Sequence, residues 1–240
     1  MRTGIAQWLE AIGSIIAALV ALGTVLYFEI WKPRRDYPKL DISISMAPPD
    51  CLKSPMSSQP ISESMTERDL GEIVVADSYL LRFRVTNNGN VKAESVEVFA
   101  SNLSKQHADG SFKKVASFLP MNLQWDNHPY IFMPMISPGM YKYCKLAHII
   151  DPSHRGSFSK LGEAGHRPTV SSDETVLSFD TLHKTYALSH LQPPGLYRLT
   201  VLIAASNAKL VERTLEINLT GKWFDDESEM LEKGIRVRVV

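Results

Sequence analysis

The sequence predicts a mainly β protein, a two-sheet antiparallel sandwich carried behind one membrane-spanning helix. Three observations predict it. Ala11 to Phe28 is an uncharged apolar run. At about 1.5 Å of helical rise per residue it covers about 27 Å, close to the roughly 30 Å hydrocarbon core of a bilayer. Beyond it, apolar residues recur with period two in segments punctuated by Asn, Gly and Pro, the pattern of half-buried strands. Finally, strands and helices do not alternate as βαβ units, which argues against a parallel sheet.

The chain divides into a short flank (1–10), the helix (11–31), a basic juxtamembrane linker (32–38) and a β domain (39–240). Trp8 precedes the apolar run and Tyr27 and Trp31 follow it, as an aromatic belt at the two bilayer interfaces would. Lys32, Arg34 and Arg35 form a basic stop. The run is longer than the apolar stretch of a secretory signal, and Tyr27, Phe28 and Trp31 replace the small residues of a cleavage site, so the helix is expected to stay uncleaved. The C-terminal flank holds four basic side chains, Lys32, Arg34, Arg35 and Lys39. The N-terminal flank holds Arg2 and the amino group, offset by Glu10. Positive charge stays inside, so the large domain is expected in the cytoplasm. Gly13, Ala17 and Ala21 share one helix face, a small-residue stripe that would let a second helix approach in a homodimer.

In the β domain, Leu40, Ile42, Ile44 and Met46 alternate with polar residues and predict a first strand. Residues 47–72, rich in Pro and Ser, lose all periodicity and read as a long loop. Tyr79, Leu81, Phe83 and Val85 form the clearest strand, broken by Asn87-Asn88-Gly89-Asn90, and Val96, Val98 and Ala100 return it. The two are expected to pair as an antiparallel hairpin, with Arg82 and Arg84 placed to meet Glu94 or Glu97. Leu119 to Trp125 and Tyr141 to Ile150 read as further strands, and 151–174 as a second long loop before a short strand at Val176–Phe179. After the turn Pro193-Pro194-Gly195, the run Tyr197 to Ala205 is apolar on both faces and is expected at a sheet centre, covered on both sides. Asn207-Ala208 turns the chain into Leu215, Ile217 and Leu219, a strand ended by Gly221. Asp225-Asp226-Glu227-Ser228-Glu229 opens a short helix with acid at its N-terminus, and Ile235, Val237 and Val239 close the chain as a strand. The count is about eight strands.

The segment Leu81-Arg82-Phe83-Arg84-Val85-Thr86-Asn87-Asn88-Gly89, followed by Ala93 and Val96-x-Val98, resembles the strand–turn–strand of immunoglobulin-like adhesion-type domains of bacteria. Pro194-Gly195-x-Tyr197-x-Leu199-x-Val201 resembles a later strand of the same domains. The layout as a whole is similar to bacterial single-pass membrane proteins that open with a Trp-x-x-Ala-Ile-Gly-Ser helix, here Trp8 to Ser14. A basic stop follows, then Pro38-Lys39-Leu40, Asn122-Leu123-x-Trp125 and Gly221-x-Trp223. The resemblance implies an immunoglobulin-like β-sandwich at a bacterial inner membrane. It assigns no activity and no site residue.

Acidic and basic residues balance at 26 each, which argues against a nucleic-acid partner. The two cysteines, Cys51 and Cys144, make no disulfide framework and read as buried or idle thiols; a bridge between them would need an oxidising compartment. Of seven histidines, His148, His154 and His166 come nearest to a cluster, without the paired spacing of zinc ligands. Cys144 and His148 would make a nucleophile and base if brought together, but the run around Cys144 favours an inert buried thiol. There is no GxSxG, Walker or GxGxxG motif. Asp225, Asp226, Glu227 and Glu229 lack calcium-loop spacing and read as helix N-terminal charges. Trp125 and Trp223 read as core or sheet-edge anchors rather than ligand-lining rings. Asn102-Leu103-Ser104 and Asn218-Leu219-Thr220 match the glycosylation pattern, which has no bearing on a cytoplasmic domain.

No catalytic, cofactor or metal residue is therefore expected. The expected role is a non-enzymatic module, held in the bilayer through residues 11–31, that tethers an unidentified partner protein at the membrane surface. A small-ligand sensor, a hydrolase and an extracytoplasmic envelope or adhesion domain are the alternatives.

Overall fold

In the computed structural model, the structure describes residues 2–32, 36–57, 75–158, 170–184 and 188–240. Helix α1 runs Arg2–Leu26 and continues as a wider turn, Tyr27–Trp31. Its stretch Ile12–Trp31 has a mean hydropathy of 1.9, and none of it is buried against the rest of the chain. At its far end Tyr27 packs edge-on to Phe28, and the Lys32 ammonium lies 5.2 Å from the Phe28 ring centre.

The β domain consists of two antiparallel sheets sharing one core. The first contains β1 (Leu40–Ser43), β2 (Cys51–Ser57), β3 (Val75–Asn87), β8 (Tyr141–Ile150), β9 (Leu177–Phe179) and β10 (Leu191–Gln192). The second contains β4 (Ala93–Gln106), β5 (Phe112–Lys114), β6 (Met121–Asn122), β7 (Phe132–Ile136), β11 (Gly195–Ala204), β12 (Val211–Leu219) and β13 (Ile235–Val239). Each sheet is built on one long strand. β3 pairs with β8 along one edge and with β2 and then β1 along the other; β4 pairs with β11 along one edge and with β7, β6 and β5 in succession along the other.

Period-two alternation places the core correctly. Tyr79, Leu81, Phe83 and Val85 of β3 face Val96, Val98, Ala100 and Leu103 of β4 across it, all fully buried. The expected hairpin between these strands does not form, because both edges of each are occupied by other partners. The turn Asn87–Val91 instead carries the chain from one sheet to the other. Arg82 and Arg84 accordingly meet neither Glu94 nor Glu97. Arg82 pairs with Asp126 and Arg84 with Asp50.

The loop expected over 47–72 is in part a strand, β2, and residues 58–74 lie outside the described set. β2 escapes notice because it pairs on one side only, so Pro55 is tolerated opposite Asp77 and no alternation is required. The loop expected over 151–174 begins with helical turns, Pro152–His154 and Arg155–Phe158, and its centre, with His166, is outside the described residues. Arg155 ties its two ends, donating to the carbonyls of Ser171 and Glu174.

Three further expectations change. Of Leu119 to Trp125 only Met121–Asn122 is ladder. The rest crosses between layers, Leu123 N–H donating to Val98 in the second sheet and Gln124 N–H to Asp180 beside the first. β11 is central, between β12 and β4, but it is not covered on both faces: Arg198 and Ala204 are exposed and Leu202 is half-buried. The described residues hold thirteen strands rather than about eight, since β5, β7 and β10 are too short or too Pro-interrupted to show a period. The C-terminal helical turn forms as expected. The Asp226 carboxylate caps it by accepting from Glu229 N–H at 2.8 Å.

Candidate functional site

The best-organised site in the domain is the end nearest the helix, where the chain enters. It is built on Asn87, the last residue of β3, which is fully buried. Its Oδ1 accepts from Lys39 N–H and Gly89 N–H, and its Nδ2 donates to the carbonyls of Val91 and Ile136. Its backbone N–H donates to Met140 O, and its carbonyl accepts from Gly139 N–H. One side chain thus joins the entry segment, the β3–β4 crossing and the β7–β8 turn, with all its hydrogen-bonding capacity used. Asn suits the position because it alone of the small side chains offers two donors and a two-lone-pair acceptor.

Neighbouring contacts complete the junction. Asn88 N–H donates to Lys39 O at 2.7 Å, Tyr37 N–H to Asn90 Oδ1 at 3.2 Å, and Asn90 Nδ2 to Asp36 Oδ1 at 2.8 Å. Gly89 lies directly beneath the entry segment. A Cβ there would sit 2.3 Å from Tyr37 O and 2.5 Å from Lys39 N, so only glycine lets the backbones approach. The turn between β11 and β12 joins the same end, since Asn207 Nδ2 donates to Lys92 O and Glu94 N–H donates to Asn207 Oδ1.

This end is covalently close to the helix. From Trp31 to Tyr37 the chain can reach at most about 21 Å. Asp36 N–H donates to Lys32 O at 2.7 Å, which shortens that reach. Of the residues expected to contact membrane, Trp8, Tyr27, Trp31 and Lys32 lie exposed on the helix, whereas Arg34 and Arg35 fall outside the described residues. Gly13, Ala17 and Ala21 lie on α1, exposed, with nothing within 4 Å of where a Gly13 Cβ would be.

A second polar cluster lies on the outer face of the first sheet. Asp50, 1% exposed, accepts from Arg84 Nε at 2.9 Å, Ser45 N–H at 2.9 Å and Tyr143 OH at 3.3 Å. The Arg82 guanidinium stacks 4.7 Å from the Tyr143 ring centre and that of Arg84 5.4 Å from Tyr141. Every charge is matched, so the cluster reads as a brace joining β3, β8 and the β1–β2 turn.

Cys144 and His148 are not brought together. Cys144 pairs with Phe83 on the core face, and a bulge at Leu146 shifts the register, so His148 pairs with Leu80 on the outer face. There His148 Nδ1 lies 2.7 Å from Asp180 Oδ1, and the residue is buried within its strand. Both thiols are buried and free. Desolvation pushes Cys51 up to about 12 and Cys144 well above the usual thiol range, which suppresses the reactive thiolate.

Trp125 is a core residue whose Nε1 donates to Ile131 O at 3.2 Å, and Trp223 packs 4.9 Å from the Tyr79 ring. The acidic run anchors the C-terminal turn to the first sheet. Glu227 accepts from Lys53 N–H, and the Phe224 and Asp225 carbonyls accept from Tyr79 OH. Asn102 and Asn218 both lie within paired strands, β4 and β12.

The sequence reading missed the junction. Asn87-Asn88-Gly89-Asn90 is legible as a turn, but nothing local reveals that Asn87 is buried or that three other segments converge on it. Comparison with protein-family models, curated proteins and solved structures yields no match.

Proposed function

We propose that the chain is a single-pass, membrane-anchored interaction module. An immunoglobulin-like β-sandwich is held at the cytoplasmic face of a bacterial inner membrane, where it tethers a partner protein without catalysing a reaction. One observation carries the reading. Ile12–Trp31 is long and apolar enough to span a bilayer, and the domain covers none of it. Leaving its Ile, Leu and Val side chains in water would forgo on the order of 15 kcal/mol of transfer free energy. Lys32 beyond the span, with Arg34, Arg35 and Lys39, supports retention of the domain on the cytoplasmic side. Confinement to a surface raises the effective concentration of a weak binder for its membrane neighbours. The Asn87 junction supports this use, because it fixes the domain's entry segment rather than leaving the domain on a free leash. The two long connections and the sheet edges are the surfaces offered to a partner.

A pair of reporters fused after Val240, one fluorescent only when folded in the cytoplasm and one active only after export, tests the topology. Fluorescence without export activity is the expected result. Export activity overturns the cytoplasmic placement, and recovery of the full chain in the carbonate-washed supernatant overturns the anchor itself.

A further inference from the structure

The four segments meeting at the Asn87 end share a composition. Tyr37, Met135, Met140, Tyr141 and Leu210 are exposed there, at 50%, 50%, 61%, 46% and 61%. They belong to the entry segment, β7, the start of β8 and the β11–β12 turn, which only the fold makes neighbours. Exposed lysines sit among them: Lys39, Lys92, Lys142 and Lys209. Lys92 pairs with Glu94 at 2.9 Å; among the described residues, Lys39, Lys142 and Lys209 make no ion pair. The acidic run at Asp225–Glu229 lies toward the opposite end, where Gly221 meets Pro194 at the start of β11.

Aromatic rings, methionines and leucine ringed by lysines match the headgroup layer of an anionic bilayer, where apolar bodies enter the acyl boundary and ammonium groups stay among phosphates. The chain places this end within about 21 Å of Trp31, the end of the candidate span. Resting on the reading that Ile12–Trp31 spans a bilayer, we propose that the Asn87 end docks onto the headgroup layer of that same membrane. Met140, Tyr141 and Leu210 then insert at the acyl boundary, and Lys39, Lys142 and Lys209 contact anionic phosphates. The domain thereby holds one orientation, with its far end presented away from the lipid.

The test uses the full chain, one copy per nanodisc, in mixed phosphatidylcholine and phosphatidylglycerol. Cys51 and Cys144 are fully buried, so a thiol-reactive environment-sensitive fluorophore reports from an introduced cysteine. Met140→Cys and Leu210→Cys probe the docking end. Ala108→Cys, on the exposed β4–β5 turn, probes the far end. Nitroxide-bearing lipid should quench the first two probes several-fold more than the third. The excess should fall in pure phosphatidylcholine and in the Lys39→Gln, Lys142→Gln, Lys209→Gln variant. Quenching at 140 and 210 no greater than at 108, with the chain still in the disc, overturns the docking proposal alone. Equal quenching in the lysine variant overturns its electrostatic part. A chain that elutes without lipid overturns the anchor reading, and that result is seen before any probe is read.

Discussion

Gly89 shows how one missing atom sets an arrangement. Its Cβ position is filled by the Tyr37 and Lys39 backbone, which has no flexible end to yield. Gly89→Ala should therefore destabilise the domain by about 3 kcal/mol. Gly156→Ala, where nothing lies within 4 Å, should stay within about 0.5 kcal/mol. Urea midpoints of the two variants in the same background make the comparison, and equal midpoints would show that the entry segment is not held against the crossing. The buried thiols give a second residue-scale prediction. With desolvation pushing Cys51 up to about 12 and Cys144 well above the usual thiol range, neither should react with a thiol reagent at pH 8 until denaturant is added. Labelling of native protein at the rate of a free thiol would refute their burial. In the sequence Cys144 is legible as inert from its apolar run, whereas neither the burial of Cys51 nor that of Asn87 is signalled by its neighbours.

At the scale of elements, the outer face of the second sheet carries a charged ladder across three strands. Glu216 of β12 lies in register with Arg198 of β11 and Arg238 of β13, and its carboxylate contacts both guanidinium groups. The Arg238 hydrogen bond, aided by Arg198, holds Glu216 below its ordinary value of 4.5. A depressed carboxylate contributes stability above its unfolded pKa and loses it as pH falls through the folded value. Glu216→Gln should thus cost about 1 kcal/mol at pH 7, because both arginines are largely solvated, and the difference should shrink below about pH 4. Thermal unfolding of both proteins across pH 3–7 checks this; a gap that stays constant with pH would mean the charge is not its source. The bulge at Leu146 is the other lesson at this scale. One extra residue in β8 turns His148 away from the core face that Cys144 occupies, a change of side that alternation in sequence does not signal.

For the whole molecule, the separation between helix and domain makes a direct prediction. The domain's core draws on both sheets and, among the described residues, includes none of α1. A chain beginning at Asp36 should keep the cooperative unfolding of the domain while leaving the membrane fraction, and the full chain should sediment with membranes through a carbonate wash. Loss of the folded domain on truncation would mean that the helix contributes to the core after all.

The apolar span, the β class, the core positions of β3, β4, β11, β12 and β13, and the acid-led C-terminal turn were determined by the sequence alone. Each rests on a period, a length or a charge polarity contained within a few neighbouring residues. Only the tertiary structure decided that β3 and β4 belong to different sheets, that Cys51–Ser57 is an edge strand, and that Asn87 joins three segments. It also decided that Tyr37, Met140 and Leu210 share one end. Ladder hydrogen bonds use backbone groups that every residue but proline carries, so residue identity does not name a strand's partner. Partners are selected when the whole set of apolar faces closes on one core.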